Sequence, residues 1–229
     1  MGGASLNLMQ INVAGSNEQI APFAERLEQI ISIIDRNMAD MVAVQAGVDA
    51  GGSDAPLAAL ALELGDHPHL ARAGGMALFS RVPIEAADAV PLRQLGLPED
   101  PFQRQLLIVR LAPPAPVVAI GHFSWVTAQA EANVADALGA LAGLGDTLLV
   151  GDFNQPPESP ALAALAEAGF VDPWTRLNRA EAGHSYPTGA PDRRIDYVLE
   201  RATAPLVTAL ALVPGDFSDH AALVARIER

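Results

Sequence analysis

Cysteine is absent from the 229 residues. Disulfide scaffolds, thiolate zinc sites, iron–sulfur clusters and cysteine nucleophiles are therefore excluded, while the redox compartment stays open. Lysine is absent too. All 14 basic residues are arginine, against 27 acidic ones, and the formal net charge is −13. Affinity for duplex nucleic acid comes largely from neutralised phosphates. This chain lacks a broad basic footprint, and no strong duplex DNA affinity is expected of it. A local arginine cluster could still hold one phosphate group. No apolar run approaches the roughly 20 residues that span a bilayer, so no membrane span is expected. Met1 to Val13 has neither the basic start nor the long apolar stretch of a secretory signal, which predicts a cytoplasmic protein. Nothing in the sequence indicates the oligomeric state.

Half of the residues are hydrophobic and 18% are charged, a balance that supports a substantial core. Short apolar strands alternate with alanine-rich helices. Strands are predicted at 6–13, 41–45, 75–80, 105–111, 117–122, 147–150, 194–199, 206–213 and 221–227. Helices are predicted at 20–36, 56–64, 128–144 and 160–168. No linker or repeat divides the chain, so residues 1–229 are expected to form one layered α/β domain.

The polar residues of chemical interest fall at the ends of these strands: Asn12, Gln45, His122, Asp152 and Asn154. Asp196 stands inside a strand, and Asp219 and His220 precede the last one. In layered α/β proteins such ends border the crevice where ligands bind. Asp152, Asp196 and Asp219 offer hard oxygen ligands and Asn12 and Asn154 neutral ones, a set that suits Mg2+ or Mn2+ better than zinc. His122 and His220 could orient a phosphoryl oxygen or pass a proton. Metal-assisted attack of water on a phosphoester needs such an inventory.

Each residue also has a structural reading. Asp152 after a glycine could cap a turn, Asp219 and His220 could form a helix cap, and Asp196 could pair with Arg193 or Arg194. His67, His69 and His184 read as loop residues despite the metal-like spacing of the first two. Trp125 and Trp174 read as core or pocket wall.

In order along the chain, LNLMQINVAG, ADMVAVQAG, GMALFSRVPI, VVAIGHFS, LLVGDFNQPP, HSYPTGAPDRRIDYVL and FSDHAALV resemble the endonuclease/exonuclease/phosphatase superfamily. The resemblance runs from about residue 6 to residue 227. It implies the DNase I-like fold, a four-layered α/β sandwich of two packed mixed sheets, and hydrolysis of phosphoesters with a divalent metal. It further implies roles for single residues. Asn12 and Asp219 belong to the metal site. Asp152 orients or activates water, and Asn154 donates to the phosphate. Asp196 fixes His220, which contacts the phosphate. His122 stands where some family nucleases keep a catalytic histidine, and Arg104 where many members carry an arginine facing the site.

One departure is decisive. The family's second motif ends in glutamine–glutamate, and that glutamate is a principal metal ligand. Here Gln45 is followed by Ala46. An engineered change would explain this, and so would natural divergence with the metal held otherwise, bound weakly or dispensed with. Asp49 is a weak substitute. Either way, Mg2+ or Mn2+ affinity is expected to be reduced. Three functional readings remain: a phosphoester hydrolase acting on a small phosphoester or on nucleic acid, a diverged enzyme using the Asp196–His220 pair for other acid–base chemistry, and a catalytically dead binding protein.

Overall fold

In the computed structural model, residues 5–49 and 51–228 are described; the first residues of the segment Met1 to Val13 fall outside them. Every residue of the strands β2 (Met41–Gln45), β4 (Met76–Ser80) and β8 (Thr147–Asp152) is buried. Such continuous apolar runs belong to strands covered on both faces. They lie inside two sheets built from β1 (Ser5–Asn12), β3 (His69–Ala73), β5 (Ile84–Pro91), β6 (Gln105–Leu111), β7 (Val117–His122), β9 (Asp196–Arg201), β10 (Val207–Val213) and β11 (Ala222–Glu228). The first sheet has the order β10-β11-β1-β2-β4-β3 and the second β5-β6-β7-β8-β9. Each sheet has one parallel pair, β1 with β2 and β7 with β8. A parallel pair needs a crossover, and helices α1 (Phe23–Arg36) and α3 (Thr127–Leu141) supply it. Three more helices are α2 (Ala55–Glu63), α4 (Pro160–Glu167) and α5 (Trp174–Leu177).

The sheets pack face to face through Leu8, Met41, Ala43 and Leu78 on one side and Val109, Ile120, Leu148 and Val150 on the other. Helices α1 and α2 cover the outer face of the first sheet with Ile30, Ile34, Leu57 and Leu60. Helices α3 and α4 cover the second with Ala130, Val134, Leu141 and Leu165. This is the four-layered sandwich of two mixed sheets that the sequence led us to expect.

The differences from the sequence reading have physical causes. Helix α1 begins at Phe23 rather than residue 20, because extended Pro22 occupies the cap and proline cannot donate in a helix interior. Strand β5 was not anticipated. It is an edge strand with six of its eight residues exposed, so it carries no apolar pattern to read. His69 is in β3 rather than in a loop, and His67 is buried, between Asp66 Oδ1 and Ala39 O, both at 2.8 Å. Among the described residues, no helix is long and apolar enough to cross a membrane.

Candidate active site

Strand register assembles half of the site. His122 lies opposite Asp152 across β7 and β8, and Asp152 opposite Asp196 across β8 and β9. The preceding pair, Gly121 opposite Gly151, allows this approach. Gly151 has φ +141°, and a Cβ there would stand 1.9 Å from Gly121 O, so only glycine fits. The facing rim of the first sheet brings Asn12, paired in register with Gln45, and the turn before β11 brings Asp219 and His220.

Asp196 binds His220, not an arginine. Its Oδ2 lies 2.8 Å from His220 Nδ1 and accepts the Ser185 hydroxyl at 2.7 Å; its Oδ1 accepts Gln10 Nε2 at 3.0 Å. Arg194 instead pairs with Asp172 at 2.6 Å and Arg193 with Asp192 at 2.9 Å. Three donors satisfy this buried carboxylate without an arginine. Burial works against the His220 cation, but Asp196 and Asp152 outweigh it and raise the ring to about 9. With Nδ1 donating to Asp196, Nε2 carries its second proton toward Asp152 Oδ2, 3.8 Å away.

Asp152 lies between the two histidines. Its Oδ2 accepts Asn12 Nδ2 at 2.9 Å and stands 3.5 Å from His122 Nε2; its Oδ1 accepts the Asn154 backbone N–H at 2.9 Å. Burial holds its carboxyl above the ordinary carboxylate range, against the pull of His220, which makes it a stronger base. Burial pushes His122 down to about 4 although Asp152 favours its cation. The site therefore holds one neutral and one charged imidazole.

Asn154 adopts φ +53°. Its Nδ2 donates to Phe123 O at 3.1 Å, so only its remaining N–H is free to point at a ligand. Asp219 is half-buried, with Oδ2 accepting Asn17 Nδ2 at 2.7 Å. Arg104 is buried in a two-pronged pair with Asp100 at 3.1 and 3.0 Å, and its third contact is His122 O at 3.3 Å. Its charge is thus spent locally. Asn12, His122, Asp152, Asn154, Asp219 and His220 line one cavity of about 420 Å³; Arg104 and Ala46 line a second hollow beside it.

Sequence reasoning missed several participants. Tyr186 places its ring 4.7 Å from that of His220, and the Arg193 guanidinium lies 5.0 Å above Tyr186, so both line the main cavity. Gln10 carried a signal, since it shares a strand face with Asn12 two residues on. Ser185 and Tyr186 carried none, because a loop brings them in.

The sequence matches the Endonuclease/Exonuclease/phosphatase family over residues 9–220. The chain belongs to that family. Its members are phosphoester hydrolases, generally dependent on a divalent metal. No curated protein sequence matches the chain. Solved structures of three different proteins illustrate the shared fold. The endonuclease/exonuclease/phosphatase from Bacteroides vulgatus has a TM-score of 0.79 at 15% identity, over 98% of this chain and 99% of that one. The D. rerio TDP2 complexed with single strand DNA product has a TM-score of 0.73 at 17% identity, over 99% and 100%. Sphingomyelinase C from Streptomyces griseocarneus has a TM-score of 0.68 at 17% identity, over 98% and 100%.

Ligand atoms of Asp152, Asp196 and His220 lie within 4.8 Å of one another, close enough to share a metal ion. Their hydrogen bonds work against that use. Asp196 already accepts three donors, His220 Nδ1 among them. Asn12 Oδ1 accepts the Ala14 N–H at 2.9 Å. Asp49 Oδ1 accepts the N–H groups of Gly51 and Ser53, both at 2.9 Å, so it caps its own turn and does not stand in for the missing glutamate. With a methyl group at 46 and Asp196 engaged by three donors, this donor set is poor in open carboxylate oxygens and fits a resident divalent cation badly.

Proposed function

We propose that this chain hydrolyses a small phosphoester, with Asp152 as the base and His220 as the fixed cation. The observation that carries this reading is the buried Asp196–His220 pair, whose Nε2 stands 3.8 Å from Asp152 Oδ2 on the wall of an open cavity. A water molecule between Asp152 and the phosphorus gives its proton to Asp152 as its oxygen bonds to phosphorus. The P–O bond to the ester oxygen breaks, and the leaving oxygen takes a proton from solvent water. His220 Nε2–H faces the charge that builds on the phosphoryl oxygens, where a preorganised donor stabilises the transition state most. The free N–H of Asn154 and the Arg193 guanidinium supply further donors from the cavity wall. Neutral His122 stands beside the same Asp152 oxygen, 3.5 Å away.

Mg2+ or Mn2+ is expected to bind weakly, for want of a carboxylate at 46, and the steps above belong to the chain's own groups. A small substrate is favoured over duplex DNA by the charge of −13. The test is hydrolysis of bis-p-nitrophenyl phosphate with and without Mn2+, for this chain and Ala46→Glu. Turnover that is lost in His220→Ala supports the reading. No turnover by either form in any metal would overturn it in favour of a binding protein that uses the same pocket. Chelator-resistant proton transfer on a substrate without phosphorus would instead support the diverged-enzyme reading, which the engagement of Asp196 by three donors favours.

A further inference from the structure

Next to the catalytic cavity lies a second hollow of about 290 Å³, and the two share the walls His122 and Trp125. Its character is different. Ala46, Val48, Ala73, Met76, Phe102 and Trp125 give it apolar walls. At its mouth Phe102 and Trp125 are 59% and 46% exposed, with ring centroids 5.9 Å apart in an edge-on pair. The Arg104 guanidinium lies 5.6 and 5.1 Å from these two rings, and Asp100 neutralises it. Aromatic side chains are 5% of the chain, so two of them left open to solvent beside a catalytic cavity need a reason.

The space is not forced by the backbone. A Cβ on Gly75 would meet Val48 and the Gly47 nitrogen at 3.5 Å, ordinary contact distance. Gly75 could therefore carry a side chain, and its absence keeps the hollow open. Ala46 does the same: a longer side chain at that position would extend into it. The wall also has a polar edge. Gln103 spends its Nε2 on Leu92 O and Arg104 O at 2.8 and 3.0 Å, which leaves its Oε1 as an acceptor, and the Gln105 amide lies beside Gly74.

We infer that this hollow is a subsite for a flat aromatic ring carried by the phosphoester substrate. An inference of this kind rests on the hydrolase reading above. Flatness follows from the open aromatic pair, against which a ring packs edge-on or offset. The volume admits one ring system but not a long acyl chain. The amide edges suit a ring with polar atoms. Two sources share this chemistry, a phenolic ester and a nucleoside phosphate.

The test compares three probes: methylphosphonate, phenylphosphonate and adenosine monophosphate. Affinity is read by calorimetry and by the change in Trp125 fluorescence, since the other tryptophan, Trp174, lines neither cavity. Either aromatic probe is expected to bind at least about tenfold more tightly than methylphosphonate, from the apolar area that a ring buries. Tighter binding of phenylphosphonate identifies a phenolic ester, and tighter binding of the nucleotide identifies a nucleobase. Gly75→Leu, which fills the hollow, is expected to erase the preference and leave methylphosphonate affinity within about twofold. Phe102→Ala changes an exposed residue, so it gives the same reading if Gly75→Leu fails to fold. Equal affinity for all three probes, alongside hydrolysis of bis-p-nitrophenyl phosphate, overturns the subsite and leaves the hydrolase standing. No binding of any probe and no hydrolysis overturns both.

Discussion

The two hollows that meet at His122 and Trp125 are built on opposite principles. In the catalytic cavity almost every polar atom is committed: Asp196 to three donors, Asp152 to Asn12 and Asn154, Asp219 to Asn17. In its neighbour the walls are mostly apolar, and the one strong charge, Arg104, is cancelled by Asp100. A saturated polar network fixes geometry because each member that moves leaves another unpaired. An apolar hollow fixes nothing of the kind and selects by shape. Ala46 lies on the boundary. A carboxylate there would join the first network, and a methyl group leaves the second hollow whole.

The largest effect should come from the committed side. Asp152→Asn keeps the shape but removes the base, and kcat is expected to fall by roughly 10²–10⁴-fold. An unchanged kcat would move the base elsewhere. On the boundary, Arg104→Met leaves Asp100 buried without its partner, at a cost of about 3–5 kcal/mol, measured by denaturant titration. The pair also has a pH signature. Arg104 and Ser124 bonds outweigh burial and hold Asp100 below its ordinary value. Its contribution is complete above the unfolded carboxylate pKa and is lost as pH falls through the lower folded one. The wild type should therefore lose stability on acidification, and Arg104→Met should show less of that loss. A smaller effect is expected from Ala46→Glu. Mn2+ affinity should rise by about tenfold or more as a hard ligand is added, while the second hollow shrinks. Ala46 already has φ +52°, so the backbone conformation that any non-glycine residue resists is in place at the outset. A titration that shows no gain in Mn2+ affinity would place residue 46 outside the reach of a cation.

The same contrast explains what the sequence could disclose. The committed network was legible because strand ends in a layered fold converge, and Asn12, His122 and Asp152 all end strands; Asp196, read as inside a strand, begins β9. Gly-Asp-Phe-Asn and Ser-Asp-His placed the remainder. The Asp196–His220 pairing was implied by family resemblance, since Arg193 and Arg194 were equally good partners on local grounds. Loop geometry decided otherwise by sending them to Asp192 and Asp172. The apolar hollow was not legible at all. It is assembled from Ala46, the β3–β4 turn, Phe102 and Trp125, four places with no common pattern. Arg104 was expected to face the site, and no local signal announced that Asp100, four residues earlier, would capture it.

The smallest effect is also the most discriminating, because it separates charge from geometry inside the committed network. His220 is raised to about 9 by Asp196 and Asp152 against the cost of burial. Its cation adds stability in full below the unfolded histidine pKa of about 6.5, and that contribution disappears as pH rises through about 9. If the cation also serves the reaction, kcat should fall on an alkaline limb near pH 9 and on an acid limb where Asp152 takes up its proton, above the ordinary carboxylate range. The two values belong to the coupled site as a whole. Asp196→Asn removes the nearest stabilising charge. The alkaline limb should then move down toward 6.5, with activity at pH 8 reduced by roughly tenfold or more and activity at pH 6 much less affected. A purely structural Asp196 would lower kcat by the same factor at every pH and leave both limbs where they were. That result would remove His220 from the reaction as a cation and leave Asp152 and its hydrogen bonds to account for whatever turnover remains.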